Sequence, residues 1–311
     1  MQRRSFLRNG MAAASAALFA GTSVMANSDY RPSQRSLPPK HQFKLKYAPH
    51  LGMFRNHAGE DPLDQIQFMA DVGFRAFEDN GMKGREMPLQ EKIASRMANL
   101  GMEMGVFVAH TIYWTEPNLT SGDPDQLKEF LDEIRESMTV AKRVNARWMT
   151  VVPGYVDLRK DIEYQTRNVI EALRRASEIL EPHDLVMVLE PLNFRDHPGL
   201  FLKTVPQSYQ ICQSVASPSC KILNDLYHQQ IQAGNLIPNI DLAWDEIAYY
   251  QVGDNPGRKE PTTGEINYTN VFKHIHENGF TGIIGMEHGN SMPGKEGELA
   301  LIEAYASVDQ F

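Results

Sequence analysis

A chain of 311 residues, 42% hydrophobic and 23% charged, carries enough apolar content for one large globular domain. Its formal net charge of −8, with lysine and arginine dispersed, argues against a nucleic-acid partner, which needs a basic stripe to neutralise phosphates. Only Cys212 and Cys220 are present, and without a CxxC pair neither a thiolate metal site nor a dithiol redox motif is expected.

At the N-terminus, Arg3-Arg4-Ser5-Phe6-Leu7 precedes an apolar run from Met11 to Ala20 and a small-residue site at Val24-Met25-Ala26. That order predicts a twin-arginine secretory signal over residues 1–26, cleavage after Ala26 and export to the periplasm. The apolar run is too short for a stable membrane span. Residues 27–42, with three prolines among polar residues, read as a linker, and residues 43–311 as a single domain. Export would permit a disulfide between Cys212 and Cys220; two unpaired structural cysteines are the default.

From there short β-rich runs alternate with helical patterns. Phe43–Ala48 reads as the first strand, followed by an amphipathic stretch from Pro62 to Val72. A second strand over Phe74–Glu78 leads to a helix from Pro88, a first-turn proline, to Leu100, with Gly101 as its C-cap. Met104–Ala109, a helix from Asp125 to Val144, Arg147–Val152, and a helix from Asp161 to Leu180 continue the series. Leu185–Glu190 is followed by Val205 to Val215. After Lys221–Asp225 the helical signal is weak, because Gln229 to Asn239 contains Gly234 and Pro238. Ala248–Gly253, a helix from Tyr268 to Glu277, and Gly282–Glu287 complete eight strands. Eight parallel β/α units close a (β/α)₈ TIM barrel. An open doubly wound sheet is the alternative, but His50-Leu51-Gly52-Met53-Phe54 is not its glycine-rich nucleotide turn.

Barrel enzymes draw their sites from the C-terminal ends of strands. Glu190, Asp225 and Glu287 each end an apolar run, and Gln251 follows Ala248-Tyr249-Tyr250. Each is separated from the next by roughly one β/α unit, so four consecutive strands bring three carboxylates and an amide to one rim. Unpartnered carboxylates so placed repel one another and resist ionisation. A divalent cation resolves this, and all-oxygen donors favour a hard ion, Mg²⁺ or Mn²⁺.

Around these positions, LVMVLEPLNFRDHPGLFL (Leu185 to Leu202), NDLYHQQI (Asn224 to Ile231) and QVGDNPGRKEPTTGEIN (Gln251 to Asn267) strongly resemble the hydroxypyruvate isomerase family of xylose isomerase-like TIM barrels. The resemblance covers roughly the C-terminal half. It implies that Glu190, Asp225, Gln251 and Glu287 ligate the metal, with Glu190 and Glu287 also serving as the catalytic acid/base pair. It further implies that His228 hydrogen-bonds a substrate oxygen and that Arg258 faces the substrate's distal polar or anionic group. Asn193 and Glu265 match family positions and read as loop-setting residues. The reaction implied is an aldose–ketose type isomerisation of a short keto acid or ketose through an enediolate, hydroxypyruvate to tartronate semialdehyde being the type case. The chain departs from the family at Lys259, where a His is common, in FVAHTIYW (Phe107 to Trp114) and in HGNSMPGKEGE after Glu287.

His110 ends the third strand, where a substrate contact and an ordinary buried hydrogen bond are equally open. His288 follows Glu287 and points to the opposite side of its strand, so it reads as structural. The expected partner is a small keto acid or sugar, and association into a homo-oligomer is left open. A keto-sugar 3-epimerase and an exported carbohydrate-binding protein without catalysis are the alternatives. An endonuclease acting at abasic sites agrees poorly with the acidic charge and the oxygen-donor set.

Overall fold

The computed structural model describes residues 40–311; the expected signal segment and the linker up to residue 39 lie outside the described residues. Eight strands run parallel: β1 (Lys46–Ala48), β2 (Ala76–Phe77), β3 (Glu103–Met104), β4 (Trp148–Val151), β5 (Val186–Leu189), β6 (Cys220–Asp225), β7 (Ile247–Val252) and β8 (Ile283–Met286). One ladder runs β1-β8-β7-β6-β5-β4, so the first strand pairs with the last, and β2 pairs with β3. The ring is completed by a parallel bridge from Val108 to Thr150 and by the Glu78 N–H donating to the Pro49 carbonyl at 3.0 Å. This is a closed (β/α)₈ barrel.

The second and third strands are shorter than their apolar runs, for a visible reason. The Val106 N–H faces the Tyr249 hydroxyl at 3.4 Å instead of a neighbouring strand, while Gly105 before it donates to the Phe77 carbonyl and Val108 after it to the Asn80 carbonyl. A register shift at Ile222/Leu223 leaves Ala248 unpaired; beyond it Asp225 aligns with Gln251 and Gln251 with Gly285.

The outer ring contains α1 (Arg55–Ala58), α2 (Pro62–Val72), α3 (Met87–Leu100), α4 (Pro124–Val144), α5 (Ile162–Leu180), α6 (Val205–Val215), α7 (Leu226–Gln232), α8 (Leu236–Leu242), α9 (Tyr268–Glu277) and α10 (Gly294–Val308). Their termini follow local chemistry. Asp123 caps α4 by accepting from the Asp125 and Gln126 N–H groups, Pro124 opens its first turn, and Asn145 ends it in the left-handed region. The weak sixth helical pattern is in fact two short helices, α7 and α8, separated at Gly234, whose φ is +61°. The C-terminal helix α10, absent from the sequence reading, buries Leu301, Ile302, Tyr305 and Val308. Among the described residues no helix is long and apolar enough to cross a membrane. Cys212 and Cys220 are buried and free. At the end of the expected linker, the His41 N–H donates to the Val72 carbonyl at 3.0 Å and its ring stacks on Phe43.

Two apolar layers result. The larger lies between strands and helices and includes Phe77, Met187, Leu189, Ile222, Tyr250 and Ile284. The smaller fills the lumen with Ala76, Val106, Val186, Val188, Leu223, Tyr249 and Ile283. Strand side chains alternate with period two, so two residues beyond each lumen residue the chain again points inward. Those next positions are Glu78, Glu190, Asp225, Gln251 and, above Gly285, Glu287.

Candidate active site

Asp225 ends β6 and at the same time caps α7. Its Oδ1 accepts from the N–H groups of Tyr227 at 2.8 Å and His228 at 3.2 Å, leaving Oδ2 free for the site. The cap fixes α7 so that His228 is buried with its Nε2 3.6 Å from Asp225 Oδ2 and 3.8 Å from Glu190 Oε1. Donor atoms of Glu190, Asp225 and His228 all lie within 4.8 Å of one another. That grouping alone would allow imidazole as a metal ligand, but its other nitrogen decides otherwise. Asn193 Oδ1 accepts from the Arg195 and Asp196 N–H groups, and its Nδ2 donates to Asp196 Oδ2, so the amide orientation is set. Nδ2 therefore donates also to His228 Nδ1, at 2.7 Å. His228 must then carry its proton on Nε2, as a donor aimed at the cluster. Burial holds its pKa down to about 4, which keeps the ring neutral.

Gln251 is held from below. Its Nε2 donates to Glu78 Oε1 at 2.8 Å, while Glu78 Oε2 accepts from the Tyr249 hydroxyl at 2.7 Å. The Glu78 carboxylate lies directly on Gly285, where a Cβ would collide with it. The Gln251 Oε1 is left buried with no hydrogen-bond partner among the described residues, as is His228 Nε2. Glu287 Oε1 accepts from Asn80 Nδ2 at 2.9 Å.

Electrostatics confirm how crowded this rim is. Burial, then the charges of Glu287 and Asp225, push the Glu190 pKa well above the usual carboxylate range. Burial also raises Glu287, to about 7, and Glu78, to about 8, with Glu287 adding to the latter. Among the described residues the counter-charge in contact is Arg258. Its Nη2 donates to Glu287 Oε2 at 2.6 Å and Asp225 Oδ2 at 3.1 Å, and its Nε to the Glu287 carbonyl at 3.0 Å. Arg258 adopts a left-handed φ of +50° in a loop held by Asp254, whose carboxylate accepts from the N–H groups of Asn255, Gly264 and Ile266. The Arg258 stem packs against Gly253, where a Cβ would crowd its Cγ, and the guanidinium stacks on Tyr227. The sequence placed Arg258 away from the metal ligands. The structure instead lays its guanidinium across two of them, because it is the cation within reach of uncompensated carboxylates.

The donor set fits a hard divalent cation. Three carboxylates converge, an amide oxygen points inward without a partner, and a guanidinium already occupies two of the oxygens a cation would take. The other sequence candidates sort clearly. His110 is buried, accepts from the Val152 N–H at Nε2, packs edge-on against Phe130, and makes no hydrogen bond to the carboxylate cluster. His288 turns outward to the Tyr305 hydroxyl at 2.8 Å. Glu265 accepts from Asn255 within its loop and from Gln230 on α7. Glu78 and Asn80 were missed, although Glu78 ends an apolar run just as Glu190 does. Trp114 entered the sequence analysis only as the last residue of the divergent FVAHTIYW stretch; it stacks on His197, with ring centroids 5.2 Å apart.

Residues 66–307 match the family model described as xylose isomerase-like TIM barrel. Hydroxypyruvate isomerase of Escherichia coli K12 is 29% identical over 194 residues, 59% of this chain and 75% of that protein. The 2-oxo-tetronate isomerase of Pectobacterium atrosepticum is 26% identical, covering 73% of this chain and 86% of its own length. Among solved structures, an AP endonuclease, family 2, from Brucella melitensis matches with TM-score 0.73 and 25% identity, over 84% of this chain and 99% of that one. D-psicose 3-epimerase from Clostridium cellulolyticum H10, solved with D-tagatose, matches with TM-score 0.68 over 85% of this chain and 96% of its own; at 17% identity it speaks for the fold alone. These two relatives are named as isomerases, and the family match runs from the second helix to the last: the chain belongs to the xylose isomerase-like TIM barrel family.

Proposed function

We propose that this protein is a divalent-metal-dependent isomerase of a short 2-oxo acid or ketose. The observation that carries the reading is the crowding of carboxylates at the C-terminal rim: Glu190 and Asp225 lie within 4.8 Å of each other, Arg258 Nη2 bridges Asp225 to Glu287, and the buried Gln251 Oε1 on the adjoining strand has no partner among the described residues. Those four residues would hold Mg²⁺ or Mn²⁺, which supplies positive charge against the oxygens of the substrate as they become anionic. Glu190 and Glu287, on strands separated by β6 and β7, form the acid/base pair. One removes the proton from the hydroxyl-bearing carbon, and the C–H electron pair becomes the double bond of an enediolate. The other returns a proton to the former carbonyl carbon, while the hydroxyl proton passes between the two oxygens. His228 donates from Nε2 to the oxygen that gains charge, and as a neutral donor it loses no proton in doing so. Arg258, on leaving Asp225 and Glu287, offers its paired N–H groups to a substrate carboxylate.

The acidic chain and its oxygen-donor site favour this reading over action on a nucleic-acid backbone, despite the likeness to the Brucella structure. The test is hydroxypyruvate in deuterated water with Mn²⁺-loaded protein, read by NMR for carbon-bound deuterium and aldehyde product. Wild-type exchange that disappears in Glu190→Gln and Glu287→Gln supports it; exchange unaffected by either change overturns it. We also propose export by the twin-arginine route, which predicts that replacing Arg3 and Arg4 with Lys strands the precursor in the cytoplasm.

A further inference from the structure

The loops after β3, β4 and β5 form a wall beside the site. Antiparallel bridges join Pro117 to Gly154 and Tyr155 to Leu200, and the Val156 and Phe201 N–H groups donate across the wall to Gly199 and Gly154. Val152, Leu192 and Leu200 give it a small core of its own, flanked by Ile112 and Tyr155. From the carboxylates outward three rings follow one another, His228 on α7 and then His197 and Trp114 on the wall. The His228 and His197 centroids are 5.4 Å apart, and His197 and Trp114 are 5.2 Å apart with planes at 26°. Trp114 nevertheless remains 47% exposed. An indole held by a rigid wall and left half in water presents apolar area beside a polar reaction centre.

We propose that Trp114 and His197 form a chain-length subsite, which packs against the C–H faces of hydroxylated carbons beyond the three that the reaction centre needs. This rests on the isomerase reading and narrows it to substrates of four or more carbons. Their carboxylate or first oxygens lie at the cluster, and their uncharged tail runs along the rings. An indole suits such a tail because it offers a broad apolar face without a charge to desolvate. One additional carbon packed there strengthens binding roughly tenfold.

The test uses two hydroxy acids that do not isomerise, D-glycerate with three carbons and D-erythronate with four. Each is titrated calorimetrically into Mn²⁺-loaded full chain, as wild type, Trp114→Phe and Trp114→Ala. Erythronate is expected to bind wild type about tenfold more tightly than glycerate. Trp114→Ala should abolish that preference while leaving glycerate unchanged, and Trp114→Phe should retain part of it. Equal wild-type affinities, an unaltered preference in Trp114→Ala, or no binding of either acid overturns the subsite. Deuterium exchange on a four-carbon 2-oxo acid, 2-oxo-tetronate, is measured on the same samples. A preference that collapses as expected without exchange refutes the isomerase and keeps the subsite; exchange with an unaltered preference does the reverse.

Discussion

Replacing Arg258 with Met should tighten metal binding, although it removes a residue from the heart of the site. The guanidinium holds Glu287 Oε2 at 2.6 Å and Asp225 Oδ2 at 3.1 Å, two oxygens that the proposed cation would take. Hydrogen bonds to charged groups contribute about 1.5–3 kcal/mol each. The Arg258 side chain is 31% exposed, so solvent screening keeps the pair toward the low end, about 1.5–3 kcal/mol together. At about 1.4 kcal/mol per factor of ten, removing this competitor tightens Mn²⁺ binding roughly 10- to 100-fold. Proton competition acts the other way, since without the arginine the carboxyls ionise less readily, and Glu287 already sits near 7. The titration is therefore run at pH 8.5, in competition with a fluorescent chelator. Met keeps the aliphatic stem that packs against Gly253, and Arg258→Lys, which keeps the charge, should shift affinity less. Unchanged or weaker Mn²⁺ binding by correctly folded Arg258→Met would refute the displacement argument.

Three further outcomes follow from the same geometry. His110 is buried with its pKa held down to about 4, so below its ordinary value near 6.5 the unfolded chain binds the extra proton and stability falls as pH drops toward 4. Because each pH unit in that window costs about 1.4 kcal/mol, urea midpoints at pH 7 and 4.5 should diverge by roughly 2–3 kcal/mol more in wild type than in His110→Gln; parallel pH dependences would remove His110 as the cause. Asn193→Leu frees His228 Nδ1 to take the proton; kcat should fall at least tenfold (on the order of one lost hydrogen bond in the transition state) with Mn²⁺ affinity unchanged, and an unaltered kcat counts against the tautomer argument. Gly285→Ala drives Glu78 off the strand and away from Gln251. It should destabilise the fold by roughly 1–3 kcal/mol and weaken Mn²⁺ binding; unchanged chelator titrations would show that Glu78 does not orient the amide.

The lumen side of the site was readable because it obeys a two-residue period. Once Val186 and Val188 point inward, Glu190 must follow, and the same holds for Leu223 and Asp225. Glu78 follows Ala76 by the identical rule and was overlooked only because its strand is short and lies outside the C-terminal motifs. Arg258 was readable as a residue but not as a contact, because its direction depends on a left-handed turn and on Asp254, which holds the N–H groups of Gly264 and Ile266 farther along the loop. The pairing of Asn193 with His228 crosses 35 residues and joins the loop after β5 to α7, so no local pattern announces it. Trp114 was visible as an aromatic in a divergent loop. What gives it meaning is the neighbour it stacks on, and His197 sits in a different β/α unit. The double helix after β6 shows the converse: Gly234 and Pro238 signalled an interruption, and the interruption is there.

Glu78 also bears on how this barrel could change its taste in metals. A carboxylate set behind a ligand, with a tyrosine hydroxyl steadying it, is the arrangement that orients metal-bound imidazoles in nitrogen-rich centres. Here it serves an amide, yet a histidine at position 251 would find an acceptor for its second ring nitrogen already in place. The distance between a magnesium-type pocket and one selective for softer borderline ions is then a single substitution rather than a rebuilt rim. Gln251→His should raise preference for Zn²⁺ over Mg²⁺ in direct competition, and an unchanged preference would show that Glu78 does not orient the new imidazole.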